Sequence, residues 1–97
     1  MMDGLAALRR RIEECDAQIV HWINERLKTC QEVGRFKHER GMEVRAPERE
    51  REVVAKAHRL NQGPCPAEVL EQVFRLLIDV AVALEEQEQT SRRGRSA

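Results

Sequence analysis

Aromatic residues are nearly missing from this sequence, which has no tyrosine, one tryptophan and two phenylalanines, so large core anchors are few. Net charge is missing too, because 17 basic and 17 acidic residues cancel to a formal charge of zero. That balance removes the basic excess that general nucleic-acid binding requires, while leaving room for a local cationic pocket. No stretch is long and apolar enough to span a membrane and no signal peptide is visible, so the expected setting is the cytoplasm. The three cysteines, Cys15, Cys30 and Cys65, form neither a C-x-x-C pair nor a His/Cys ligand pattern, which speaks against a metal site. On one helix Cys15 and Cys30 would stand about 22 Å apart, too far to bridge. The three are read as reduced thiols serving as small apolar side chains.

What is present is a long amphipathic pattern over residues 5 to about 40. Leu5, Leu8, Ile12, Cys15, Ile19 and Trp22 alternate three and four apart, the period of a helix seam. The next seam position is Arg26, and Lys37 returns to within about 20° of it, roughly 16 Å further along the axis. Cations on a face that should be core need an anion to hold. Gly34 lies inside the pattern, where a lone glycine often marks close approach of another group. Residues 1–4 read as a lead-in with Asp3 as N-cap, and Gly41 as the C-terminal stop.

Pro47 opens a second helix whose first turn is acidic, Ala46 being a poor cap before it. Val53, Val54, Ala57 and Leu60 give it one apolar side, and Asn61-Gln62-Gly63-Pro64 ends it. Pro66 opens a third helix with Cys65 at the cap. Its apolar arc, from Val69 and Leu70 through Phe74, Leu77 and Ala81 to Leu84, is wide enough for more than one neighbour. This helix is expected to end near Gln87, so the domain spans 5–87. Residues 88–97 are expected to be a disordered basic tail. A first helix of about 50 Å is far longer than a compact domain of this size is wide. The expected fold is therefore all-α, with three helices per chain in an intertwined homodimer built on the long N-terminal helix.

The charges that break the pattern are Arg26 and Lys37 on the seam, Arg9 beside it, Arg49 and Glu50 in the first turn of the second helix, and Glu85 one turn beyond Ala81. Arg9 and Arg26 are about 26 Å apart along one straight helix, so a small ligand could touch both only if Arg9 came from the other subunit. Each has a plainer reading. Arg26 fits a snorkelling or ion-paired interface residue, Arg9 a surface charge, and Lys37 an end-of-helix cation. Glu50 fits a first-turn acid, Glu85 a solvated neighbour of Glu86, and His21, His38 and His58 surface residues.

Taken in order, Leu8-Arg9-Arg10-Arg11-Ile12 with Asp16, Glu25-Arg26, Val33-Gly34-Arg35-Phe36-Lys37, Val44-Arg45-Ala46-Pro47-Glu48-Arg49-Glu50-Arg51 and the run over 74–86 resemble the all-helical class of chorismate mutases. The resemblance covers nearly the whole chain. It implies an intertwined dimer, each site borrowing one arginine from the partner, and the pericyclic rearrangement of chorismate to prephenate in aromatic amino-acid biosynthesis. It implies no cofactor and no metal. Confinement and preorganised charge are sufficient for this reaction.

By the same resemblance, Arg26 and Arg9 of the partner subunit would grip the two substrate carboxylates through their planar forks. Lys37 would donate to the ether oxygen, with Glu85 as the second donor there. Arg49 would be a supporting cation, and Glu50 would accept from the ring hydroxyl. Ala46 and Ala81 stand at substrate-binding positions where the family often has Asp and a hydroxyl, which puts affinity in question more than the reaction. The Ala46-Pro47-Glu48-Arg49 segment with Arg35-Phe36-Lys37 also resembles the isochorismate-pyruvate lyases of the same fold, which form salicylate. A carboxylate at Glu50 favours the mutase. The third reading is a non-catalytic helical dimer module.

Overall fold

The computed structural model describes the backbone of residues 2–96 and the side chains of residues 3–90. Its regular structure is three helices, α1 (Met2–Glu39), α2 (Pro47–Leu60) and α3 (Ala67–Ser96), and no strand occurs among the described residues. The all-α expectation holds. No described helix is long and apolar enough to cross a membrane.

The boundaries follow local chemistry, with three departures from expectation. α1 already begins at Met2, so residues 2–4 are its first turn and not a lead-in, and Asp3 lies inside that turn instead of capping it. An acid there still meets the positive end of the helix dipole. At the far end, Met42 N–H donates to the Lys37 carbonyl at 2.8 Å and Gly41 N–H to the His38 carbonyl at 3.2 Å. With Gly41 at φ +63°, this is a Schellman stop, open to glycine because it has no Cβ.

α2 starts at Pro47 as expected. Ala46 contributes no side-chain cap, only its carbonyl, which accepts from Glu50 N–H at 3.0 Å. α3 starts one residue later than expected, and Pro66 supplies the carbonyl that accepts from Val69 and Leu70 N–H. Its backbone stays helical to Ser96, past the expected end near Gln87, since no proline or glycine interrupts 87–90 and Glu and Gln are good helix formers. The tail expected over 88–97 lies, from residue 91 onward, outside the described side chains.

α3 is the element on which both other helices pack. Between α2 and α3 sits a small core of Val54, Ile78 and Val82, with Val44 and Val53 packed against it. An exposed contact between His58 Nε2 and Glu71 Oε1 at 3.1 Å ties the far end of α2 to α3. Gly34 sets the approach of α1 to α3. A Cβ there would stand 3.1 Å from both Cα and Cγ of Glu85. Two helix backbones therefore meet closely enough that a side chain larger than hydrogen would have to push Glu85 back by a few tenths of an ångström.

The N-terminal half of α1 has no such neighbour. Leu8, Ile12, Ile19 and Trp22 are each more than half exposed, as is Leu76 on α3. The chain measures 65 × 28 × 15 Å, with a radius of gyration of 17.7 Å. A compact domain of this length would have a radius near 13 Å. The expected apolar stripe is real, and within one chain it faces water.

Gly34→Ala should lower stability although alanine is the better helix former. The propensity gain is about 1 kcal/mol, against roughly 1–3 kcal/mol for forcing apart a close-packed contact. Denaturant unfolding followed by circular dichroism measures the balance. A more stable variant would show that α1 and α3 separate without cost.

Candidate active site

The close approach at Gly34 has a chemical consequence. Lys37 is one turn further along α1, and Glu85 is the residue that Gly34 touches on α3, so the contact delivers a cation and a carboxyl to one place. Their polar atoms, Lys37 Nζ and Glu85 Oε2, lie 3.7 Å apart, with the side chains only 16% and 8% exposed. The solvated reading of Glu85 is thereby excluded. Lys37 Nζ also donates to the Val44 carbonyl at 2.6 Å. The Schellman turn makes this possible by sending the chain back past the end of α1.

These residues line a cavity of about 310 Å³. Its size is near the lower end of small-molecule sites. Arg26, Lys37, Ala46, Arg49, Glu50, Ala81 and Glu85 all contribute to its wall, gathered from α1, the α1–α2 connection, α2 and α3. Arg9 does not line it. It is exposed on the free half of α1, about 26 Å along the axis from Arg26. Arg49 lines the cavity while its Nη1 pairs with Glu52 at 3.4 Å on the surface.

Sequence reasoning does not name Thr29, Cys30, Val33, Val44, Val53, Ile78 and Val82 as lining residues, yet they line the cavity too. Part of this is legible. Positions 26, 30, 33 and 37 share one helical face, so Cys30 and Val33 have to stand between the two seam cations. Val44, from an irregular connection, carries no such periodic signal. Arg45 enters the sequence reading only as part of a motif. Its guanidinium bonds Glu50 Oε1 at 3.0 Å and Asp79 Oδ1 at 3.2 Å.

Charge in this cavity is unevenly satisfied. Burial pushes the Glu85 carboxyl above the ordinary carboxylate range; Lys37 opposes the shift and Glu50 adds to it. The Cys30 thiol is also pushed up, chiefly by burial, with Arg26 opposing. Arg26 Nη1 approaches its sulfur at 3.8 Å. A neutral thiol is a poor nucleophile. Glu50 Oε2 is buried without a hydrogen-bond partner among the described residues. The cavity thus offers three cations, Arg26, Lys37 and Arg49, for anionic groups, a carboxyl biased toward its donating form and a carboxylate oxygen free to accept, between aliphatic walls.

Comparisons with known proteins match most of the chain. A family model described as chorismate mutase type II matches residues 8–86. The chain is 35% identical over 88 residues to a bifunctional chorismate mutase/prephenate dehydratase of Aquifex aeolicus, covering 87% of this chain and 24% of that protein. It therefore spans about a quarter (24%) of the length of that bifunctional relative. It is 28% identical over 88 residues to a chorismate mutase of Methanocaldococcus jannaschii, covering 90% of this chain and 89% of the relative. Among solved structures, Form II of chorismate mutase from Thermus thermophilus superposes with a TM-score of 0.81 at 32% identity, covering 84% of this chain and 93% of that one.

The direction of the Glu85 shift sets a pH dependence. A carboxyl raised in the folded state contributes its full stability below its unfolded value and loses it as pH rises through its folded value. Wild type should lose this contribution as pH rises above the ordinary carboxylate range. Glu85→Gln, with nothing to ionise, should gain on wild type across the same window. Urea unfolding of both proteins as a function of pH reads the difference. A constant difference across that range would mean that Glu85 is not raised.

Proposed function

The chain belongs to the chorismate mutase type II family, and on that footing we propose that it catalyses the rearrangement of chorismate to prephenate as an intertwined homodimer in the cytoplasm. The observation that carries the proposal is the buried meeting of Lys37 and Glu85 at 3.7 Å inside a cavity that Arg26 and Glu50 also line. The reaction breaks an ether C–O bond while a C–C bond forms within the same molecule. Negative charge grows on the ether oxygen at the transition state. Two donors fixed beside that oxygen lower the barrier because they need no reorganisation as charge appears.

Lys37 is one donor. Glu85 is the other when it carries its proton, and the upward push of burial supports that form. Arg26 grips one substrate carboxylate. Arg9 of the partner subunit grips the second, so the folded conformer that brings the reacting carbons together is held at both ends. Glu50 accepts from the ring hydroxyl through its unpartnered oxygen. Arg49 adds positive charge at the rim, and Ala46 and Ala81 give the ring room on apolar walls.

The dimer is supported by the same stripe that a single chain leaves bare. Leu8, Ile12, Ile19 and Trp22 need cover, and the wide apolar arc of α3 leaves Val69, Val73 and Leu76 similarly uncovered. A second copy supplies a complementary apolar surface for both. The three thiols are free, which suits a reducing compartment.

Purified protein incubated separately with chorismate and isochorismate should form prephenate from the first. Salicylate from the second, without prephenate, would assign the lyase reaction instead. No turnover of either would leave a helical dimer module. Arg26→Ala should lower turnover by about a hundredfold or more while the helical signal and dimer mass remain.

The shared site has its own test. Arg9→Ala and Arg26→Ala homodimers should each be nearly inactive. Mixed by unfolding and refolding, they form heterodimers with one complete site, and activity should return to about a quarter of wild type. Activity that does not return on mixing would place both arginines in the same chain's site.

A further inference from the structure

Glu50 can be aimed only by what holds its other oxygen. We propose that Arg45 is a positioning residue that orients the Glu50 carboxylate toward the bound ring. This rests on the reading that Glu50 accepts from a ligand hydroxyl, and it names the group that makes Glu50 able to do so.

The geometry is that of a fork with two targets. Arg45 Nη1 donates to Glu50 Oε1 on α2 at 3.0 Å, and Nη2 donates to Asp79 Oδ1 on α3 at 3.2 Å. A guanidinium is planar and its donors are fixed relative to one another, so anchoring one nitrogen on α3 sets the direction of the other. Oε1 of Glu50 is thereby committed. Oε2 remains buried and unpartnered among the described residues. A buried acceptor left open costs free energy, which a ligand donor would recover.

No other device on α2 fixes this carboxylate among the described residues. Ala46 has no capping side chain, and the Glu50 backbone N–H is already given to the Ala46 carbonyl. Pro47 holds Ala46 in extended backbone, φ −134° and ψ 85°, which carries the preceding Arg45 alongside α3 where Asp79 stands. Arg45 and Asp79 are 52% and 64% exposed. That arm of the fork moves stability little, but Glu50 is only 15% exposed and has Arg45 as its one side-chain partner among the described residues, so removing Arg45 also costs stability. The role of Arg45 in catalysis is therefore read from its coupling to Glu50 and not from the melting curve.

The test is a double-mutant cycle in the full chain with Arg45→Ala, Glu50→Gln and both together, alongside Arg45→Lys and Asp79→Asn. Arg45→Ala should reduce kcat/KM on chorismate by about tenfold in protein that stays folded at the assay temperature. The double variant should be no worse than Glu50→Gln alone. Arg45→Lys should recover part of the loss, because one ammonium can hold Glu50 but does not reproduce the fork. Asp79→Asn should fall between wild type and Arg45→Ala.

Losses that multiply in the double variant would show that Arg45 acts independently of Glu50 and would overturn the proposal. So would an Arg45→Ala variant with wild-type kinetics. If wild type makes no prephenate, the mutase reading fails by itself. The same cycle is then read by calorimetry with a bicyclic, hydroxyl-bearing dicarboxylate that mimics the transition state. Non-additive weakening there sustains the role of Arg45. Additive weakening, or no binding at all, rejects it.

Discussion

One short contact sets the geometry of this molecule. Gly34 on α1 lies against Glu85 on α3 so closely that a single methyl group would stand 3.1 Å from the opposing backbone. Because interiors are close-packed and transmit displacement, widening that contact would move Lys37 away from Glu85 by a comparable amount. The site depends on side chains separated by much of the sequence but held 3.7 Å apart in space. The glycine, which weakens the helix locally, is what lets two stiff helices deliver an ammonium and a carboxyl to one point.

Charge inside an apolar wall is costly, and the structure handles each group differently. Lys37 is compensated twice, by a carbonyl from the α1–α2 connection and by Glu85. Glu85 is compensated only by Lys37 among the described residues, and burial outweighs that help. Glu50 is half-compensated, with one oxygen held by Arg45 and the other left open. The incomplete satisfaction is concentrated at the cavity, whereas the core beneath it, Val54, Ile78 and Val82, is apolar throughout. That distribution is what a site preorganised for a charged guest requires: donors and acceptors fixed by packing before the guest arrives.

The long helix serves two ends of the molecule unequally. Its C-terminal third packs on α3 and builds the cavity, while its N-terminal half carries an apolar stripe left exposed among the described residues. In the proposed dimer the bare half would be covered by a second copy and would carry Arg9 to that copy's cavity. Assembly and chemistry then rest on the same helix, so a lesion in the stripe acts on the site at a distance.

Much of this is legible in the residues alone. The three-four spacing of Leu8, Ile12, Cys15 and Ile19, the proline at the head of α2 and the glycine after α1 are local signals, and the helices fall close to where these place them. The site residues stand out because Arg26 and Lys37 interrupt an apolar seam, which is a one-dimensional fact about period. The start of α1 at Met2 and the reach of α3 past Gln87 are not legible, because end positions rest on weak propensities.

Tertiary structure alone decided which groups meet. Helical period does not pair Lys37 with Glu85, which only the family resemblance set at one oxygen, and it neither brings the Val44 carbonyl to an ammonium nor divides the Arg45 fork between Glu50 and Asp79. Those contacts depend on how closely and at what angle helices cross. Helix crossing is set by the summed packing of many side chains, whereas sequence period reports only which face of each helix is available to pack.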